Sequence, residues 1–380
     1  MNIETSILSV AIVVTTLTSL VLVTRWRNVV CTGPLPATLF TFIAILFTSG
    51  LDVGLIMFPL VDFGVYATEA EYAFTNPLAV EFGFWGFLVW GFYFLTTFYF
   101  CIVEPRLRLF DVPVIRTTNN IVIIGTCAFT AYLFLVYLPS YIEGISDALR
   151  FGLVAIVVLA AALSSTHLRF IAILSVSSTW LFFALIAGVW LVSGMGFGGL
   201  AGSLVNVGGY FANIHRFVLP LTDYHQFYLY WWFAWSIMIG QFVARFVGGL
   251  KVWQLLLALL VVPSVPIALW FSVLYFYFSN DLQVPGLWRA AMIVVGVLFV
   301  INSLDSLIRL YTQNLDLTVE RLGVKWYLAA NWAALFGLVL LYQFTPLRIE
   351  WVGMVVVAIY AAVYALIFRR RRELGETGSA

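Results

Sequence analysis

Stretches of about twenty mostly apolar residues recur along almost the whole chain, and that recurrence limits the fold more than any single motif. A helix needs about 20 such residues to cross the hydrocarbon core of a bilayer. About eleven stretches qualify, centred near Ile12, Ala44, Gly91, Ala128, Ile156, Phe182, Trp235, Pro263, Leu298, Ala334 and Tyr360. Lipid offers no water to unpaired amides, so spans of this kind are helices. The expected fold class is an all-α polytopic membrane protein. Composition agrees, because 63% of the 380 residues are hydrophobic and 10% are charged. No stretch reads as a soluble domain. The first apolar segment lacks a basic leader and an A-x-A cleavage site, and so reads as a retained span. Between the sixth and seventh spans, "LVNVGGYFANIHRFVLP" is glycine-rich and short, which suits a helix lying in the interface.

Charge placement tests the span count, because cytoplasmic loops collect Lys and Arg. One alternate set of loops carries Arg25, Arg27, Arg106, Arg108, Arg116, Arg169, Arg245, Lys251, Arg309, Arg321 and Lys325, and ends in the tail from Arg369 to Arg372. The other set is more acidic, with Asp62, Glu69, Glu71, Glu143, Asp147, Asp281 and Glu350, although Arg150, Arg216, Arg289 and Arg348 also fall there. The asymmetry predicts an external N-terminus, a cytoplasmic C-terminus and an odd number of spans.

Several function classes find no support. A formal net charge of +1 leaves no basic patch to neutralise nucleic-acid phosphates. Cys31, Cys101 and Cys127 are too widely spaced for a CxxC pair, and His167, His215 and His225 show no ligand spacing. No clustered nucleophile, base or metal set points to an enzyme.

What remains is a set of unusual segments within the spans. "YLYWWFAWS" (228–236) places three tryptophans and two tyrosines in nine residues. Trp231 and Trp235 are four apart and share a helix face, with Trp232 one position round. An aromatic belt at the headgroups and a binding site are equally good readings of this segment alone. In "GFWGFLVWGFYF", Trp85, Trp90 and Tyr93 follow at intervals of five and three, near one broad face. Two aromatic clusters on separate helices make a box of π-faces. Such a box suits a quaternary ammonium or sulfonium group, each ring contributing about 0.5–2 kcal/mol when dry.

"SGLDVG" (49–54) sets Asp52 between Gly50 and Gly54 in the second span, where an unwound helix is tolerated only if it lines a protein cavity. An ionisable side chain at that depth is a functional candidate by default, and a structural pairing with a neighbouring helix is the alternative. In "INSLDS", the oxygens of Asn302, Ser303 and Asp305 suit a hard cation such as sodium, or equally well bond across helices. "GMGFGG" (194–199) follows no strand, so a hinge or tight turn is preferred to a phosphate loop.

These segments resemble the betaine/carnitine/choline transporter (BCCT) family. "FYLYWWFAWSIMIGQFVARF" is similar to that family's aromatic run followed by a glycine and an F-x-A-R end, and "LLLALLVVPSVPIALWFSVL" to its VP-then-WFS sequel. Trp85, Trp90 and Tyr93 match its W-x4-W-x2-Y. "LFTSGLDVG" resembles its broken helix, and "INSLDS" its TSxDS segment. The resemblance implies a LeuT-like fold of two inverted five-helix repeats with the broken second span and aromatic seventh span meeting at the substrate site. It makes Trp85, Trp90, Tyr93, Trp231, Trp232, Trp235 and Asp52 substrate-facing and Phe242 a gate ring. Gly50, Asp52, Asn302, Ser303 and Asp305 become ion-coupling candidates.

On this plan residues 1–30 form a peripheral helix, 31–198 the first repeat, 199–220 an interfacial helix, 221–368 the second repeat and 369–380 a short basic tail. The chain reads as a short member without the family's first span. It is expected to import a choline-like cation, glycine betaine, carnitine or a sulfonium compound across a bacterial inner membrane, as a homotrimer and with no cofactor beyond a coupling ion. A transport-inactive membrane sensor is the alternative. Three departures stand out. Asn302 occupies a threonine position, which leaves the coupling ion open between sodium and a proton. Asp52 replaces a small residue and would favour net positive charge in the substrate. Ile237 and Met238 stand where the family has Pro-Phe.

Overall fold

The computed structural model describes residues 3–51 and 53–370. An outer helix, α1 (Ile3–Arg25), leads to a short strand, β1 (Val30–Thr32). A broken element follows, made of α2 (Leu39–Ser49), α3 (Val53–Met57) and α4 (Pro59–Thr68), and then a second made of α5 (Pro77–Trp85), α6 (Trp90–Phe98) and α7 (Glu104–Leu107). Three continuous helices complete the first half: α8 (Pro113–Tyr141), α9 (Asp147–Ser164) and α10 (Leu168–Val192). After α11 (Phe197–Ala212), the second half runs through α12 (Asp223–Val243), β2 (Gly248–Lys251), α13 (Val252–Leu256) with α14 (Val262–Ser279), α15 (Gly286–Asn314), α16 (Val319–Leu322), α17 (Val324–Phe344) and α18 (Ile349–Arg369). β1 and β2 pair antiparallel, with Val30 opposite Lys251.

Among the described residues, nine helical elements are long and apolar enough to cross a membrane. The other two expected spans are those that carry the site. The α2–α4 element is cut into pieces of 11, 5 and 10 residues, each shorter than a bilayer crossing. α12 has 21 residues, but Trp and Tyr rank low in hydropathy, so its length and burial identify it. Counting both restores eleven. Five crossing elements in each half are an odd number, so the second half traverses the bilayer in the opposite sense, as inverted repeats do. The halves also share a detail: a π turn at Tyr99–Val103 precedes α7 and another at Leu257–Val261 precedes α14. Each lies beside a proline, Pro105 or Pro263, whose missing N–H and bulky ring widen the helical ladder.

α12 is the axis of the molecule. It packs against α2, α6, α8 and α18, and nearly its whole length is buried. Its crossing with α6 is close because Gly240 lies against Thr96, whose hydroxyl donates to Ser236 O at 2.8 Å.

Four sequence expectations change here. Asp62, expected in an external loop, belongs to α4 and is buried. Arg309, also expected in a loop, lies within α15 and donates to Thr166 O at 3.1 Å. The helix expected from Leu204 begins at Phe197 and turns Ser203, Val207 and Tyr210 inward. "GMGFGG" therefore divides, with Gly194 at φ 72 supplying the turn and Gly198 and Gly199 entering α11.

Candidate functional site

Two helix breaks build the site. α2 stops at Gly50, whose N–H still reaches Leu46 O, and the carbonyls beyond lose their helical partners. Side chains from three other helices take them up. Tyr93 of α6 donates to Gly50 O at 3.2 Å, Trp270 of α14 to Leu55 O at 3.0 Å, and Ser303 of α15 to Thr48 O at 3.3 Å and to Leu51 O. The second break falls between α5 and α6, where Gly86 caps α5 and Phe87 adopts a left-handed φ of 48. The indole of Trp232 donates to Phe84 O at 2.8 Å and that of Trp90 to Trp85 O at 2.9 Å. The freed amides of Phe87 and Leu88 donate to Ser264 Oγ at 2.7 Å and Tyr210 Oη at 3.3 Å. An unpaired amide or carbonyl at this depth costs several kcal/mol, so each aromatic hydrogen bond holds both a ring and a break in place.

The rings surround a small cavity of about 10 Å³, lined by Gly50, Leu51, Trp85, Tyr93, Trp231, Trp232 and Trp235. Its walls are almost wholly apolar. Trp85 stands edge-on to Trp231 (5.6 Å, 89°) and Trp232 (6.0 Å, 83°), and Tyr93 lies 5.6 Å from Trp232. A Cβ on Gly54 would lie 2.5 Å from the Trp85 ring, so glycine there is what lets the broken helix reach the tryptophan. The indole N–H groups of Trp85, Trp231 and Trp235 are buried without a hydrogen-bond partner. The site therefore offers π-faces to a cation and free donors to an oxygen.

Comparison with known proteins bears on the same residues. The family described as BCCT, betaine/carnitine/choline family transporter, matches residues 123–277, which include the aromatic helix α12. Over that stretch the chain is similar to the BCCT family. It is similar to an uncharacterized transporter of Haemophilus influenzae, at 26% identity over 79% of this chain and 55% of that protein. It is also similar to the glycine betaine transporter OpuD of Bacillus subtilis, at 23% identity over 67% of this chain and 58% of that protein. The chain thus spans a little over half the length of these curated relatives. Among solved structures it matches a Na+-coupled sialic acid symporter in a substrate-bound outward-open state, at 12% identity and a TM-score of 0.48, over 95% of this chain and 83% of that one.

The structure brings together five of the six expected box aromatics. Trp90 is the exception: fully buried, it stands behind the cavity, edge-on to Tyr93 at 5.3 Å. The five-residue interval from Trp85 assumed one continuous helix, and the break at Gly86 invalidates it. Phe242 also lies away from the lining, its ring against Phe246 at 5.3 Å. Gly50, an ion-coupling candidate, lines the cavity. Asp52 lies outside the described residues.

The "INSLDS" residues diverge in the structure. Asn302 turns to α10, accepting from Ser175 at 3.3 Å and donating to Ser178 at 2.9 Å, so its amide is occupied away from the break. Asp305 accepts from Ser164 of α9 at 2.5 Å and from Ser306 at 3.2 Å. Ser306 in turn bonds Ser49 at 2.7 Å. Ser303 reaches the freed carbonyls of the break, where Thr48 O, Leu51 O and its own hydroxyl are gathered as hard oxygens.

Sequence reasoning missed Leu51, Tyr228 and Glu81. Leu51 carried no distinguishing signal, whereas Tyr228 shares the helix face of Trp231, Trp232 and Trp235, and Glu81 is an ionisable residue deep inside an apolar span. It is fully buried on α5, one turn before Trp85.

Proposed function

We propose that the protein is a secondary transporter whose ring cavity binds a quaternary ammonium compound carrying an oxygen at its other end. Glycine betaine, choline and carnitine all fit that description, and a sulfonium analogue presents the same cationic head. The observation that carries this reading is the convergence of Trp85, Tyr93, Trp231, Trp232 and Trp235 on one cavity against a broken helix. A quaternary ammonium offers no hydrogen-bond donor, so apolar π-faces are a fitting partner. The unpartnered indole N–H groups of Trp231 and Trp235 supply donors for the carboxylate or hydroxyl. The name of the related glycine betaine transporter points to the same class.

The cavity has room for about one water-sized sphere, so a ligand enters by parting the rings. Opening toward one membrane face and then the other, by movement of one repeat against its partner, is the alternating access that this reading entails. Import, a homotrimeric assembly in the bacterial inner membrane, an external N-terminus and a cytoplasmic C-terminus complete the proposal.

Trp235 is the sharpest test, because its indole makes no hydrogen bond within the protein. Glycine betaine, choline and carnitine are titrated against the purified chain by tryptophan fluorescence, and uptake is followed in proteoliposomes. In Trp235→Ala, affinity should fall about 5- to 30-fold for the loss of roughly 1–2 kcal/mol of cation–π attraction. Unchanged affinity in both Trp235→Ala and Trp231→Ala would remove the cavity from the argument. Saturable binding with no counterflow would favour the sensor alternative.

A further inference from the structure

One turn beyond the ring cavity, toward the loop at residues 69–76, lies a second buried polar cluster. Asp62 of α4 accepts from Tyr224 Oη at 3.1 Å and from Tyr228 Oη at 3.5 Å. Glu81 of α5 is fully buried, and neither carboxylate oxygen has a hydrogen-bond partner. The hydroxyls of Tyr66 and Tyr141 and the Trp85 indole N–H are unpartnered as well. The Tyr66 hydroxyl and the Trp85 indole N–H lie close enough to donate toward Glu81, and the charge of Asp62 acts on it through space.

Tyrosine predominates on the elements packed around the pair. Tyr66 and Tyr72 precede α5, Tyr137 and Tyr141 come from α8, and Tyr224 and Tyr228 from α12. Tyr275 of α14 packs on Phe63 at 5.4 Å, and Tyr210 of α11 is engaged with Leu88 N. His225 stacks on Phe84 at 4.4 Å, and its Nδ1 accepts from Leu221 N. Arg216 lies over the Phe74 ring at 4.6 Å. Glu69 and Glu71, in the loop beyond, add only negative charge. No Lys or Arg pairs with either carboxylate among the described residues.

Two buried carboxylates without a counter-charge cost several kcal/mol each. Some positive charge therefore belongs to the site. The groups facing Glu81 are hydroxyls and an indole N–H, which donate hydrogen bonds. A metal ion needs lone pairs around it and is poorly served by an N–H. We propose that Asp62 and Glu81 form a proton-exchanging pair, holding one proton between two carboxylates, whose occupancy is coupled to the ring cavity. The proton adds to a carboxylate oxygen as the acid forms and leaves to water as the carboxylate is restored.

The coupling half of this proposal rests on the ring cavity being the substrate site. Glu81 and Trp85 are four residues apart on α5, as are Tyr228 and Trp232 on α12, and Tyr228 lies 5.6 Å from Trp85. A single indole therefore separates the pair from the cavity. Glu81 lies one helical turn, about 5–6 Å along α5, from Trp85, within Coulomb range of a cation among the rings. Two positive charges at that distance repel, so choline and the proton compete.

The test uses the full chain, with choline as the probe. In weakly buffered detergent solution with a pH indicator dye, choline binding should release a proton. Choline affinity should fall, by up to about tenfold per pH unit, as the solution is acidified. Glu81→Gln should still quench tryptophan fluorescence but lose both effects, and Asp62→Asn, a second variant with its own hydrogen bonds, should weaken them. Wild-type affinity independent of pH, or pH dependence unchanged in both variants, overturns the proposal. A readout without substrate separates it from the transport reading. The infrared carboxylic-acid C=O band of the wild type should vanish in Glu81→Gln and be the same in sodium and potassium buffers. Absence of that band, or its removal by sodium, also overturns the pair as a proton site.

Discussion

Replacing Gly240 by alanine tests whether the α6–α12 crossing positions the rings. The added Cβ would lie 2.1 Å from Thr96 Oγ1, 2.4 Å from Thr96 Cβ and 2.8 Å from the Thr96 carbonyl carbon. A side-chain rotation of Thr96 relieves only the first of these. Restoring ordinary carbon contacts of about 3.5 Å, with Thr96 Cβ at 2.4 Å the tightest, moves the two backbones apart by roughly 1 Å. Overpacking of this kind costs about 1–3 kcal/mol in stability. The same displacement lengthens the Thr96 bond to Ser236 O, now 2.8 Å, and draws Tyr93, one turn along α6, away from Trp232. Binding of glycine betaine or choline should weaken about tenfold, equivalent to roughly 1.4 kcal/mol. Tryptophan fluorescence titration and thermal unfolding, on protein that elutes as a single species, read the two effects. Adding Thr96→Gly removes the two closest atoms and should recover most of both losses. Wild-type affinity and stability in Gly240→Ala, or a double variant no better than the single one, would refute the positioning role.

Two other expectations follow from the breaks. Ser303→Ala leaves Thr48 O and Leu51 O without their donor, so unfolding should come earlier by about 1–3 kcal/mol, while replacing sodium with potassium leaves binding unchanged. Asp52→Asn should shift the preference from choline toward glycine betaine, measured by competition binding, because it removes a charge that would repel a carboxylate. An unchanged preference assigns Asp52 a structural role.

The fold was largely legible because apolar length is a strong signal. Even the broken second span was marked by glycines on either side of Asp52. The ring cavity was legible in part. Trp231, Trp232 and Trp235 obey the periodicity of one intact helix, and they do line the cavity. Trp90 was misplaced because its distance from Trp85 was counted along a helix that ends at Gly86. Nothing in the sequence showed that Asn302 would turn to α10, since an amide bonds a neighbouring helix as readily as an ion. Glu81 was overlooked although its depth in an apolar span was plain, because attention to motif spacing passed over a single unmatched charge.

The aromatic caps on the freed carbonyls have a consequence for motion. To admit a ligand, Trp232 or Tyr93 must swing aside, and doing so strands Phe84 O or Gly50 O in a medium that offers no substitute donor. Each stranded acceptor at this depth costs several kcal/mol, so the open arrangement is a rare one, visited at about the per-cent level or below. The rings thus behave as latches whose release is felt at once in the backbone. Any agent that opens the cavity loosens a helix break in the same movement, and a change in either break resets how often the latches lift.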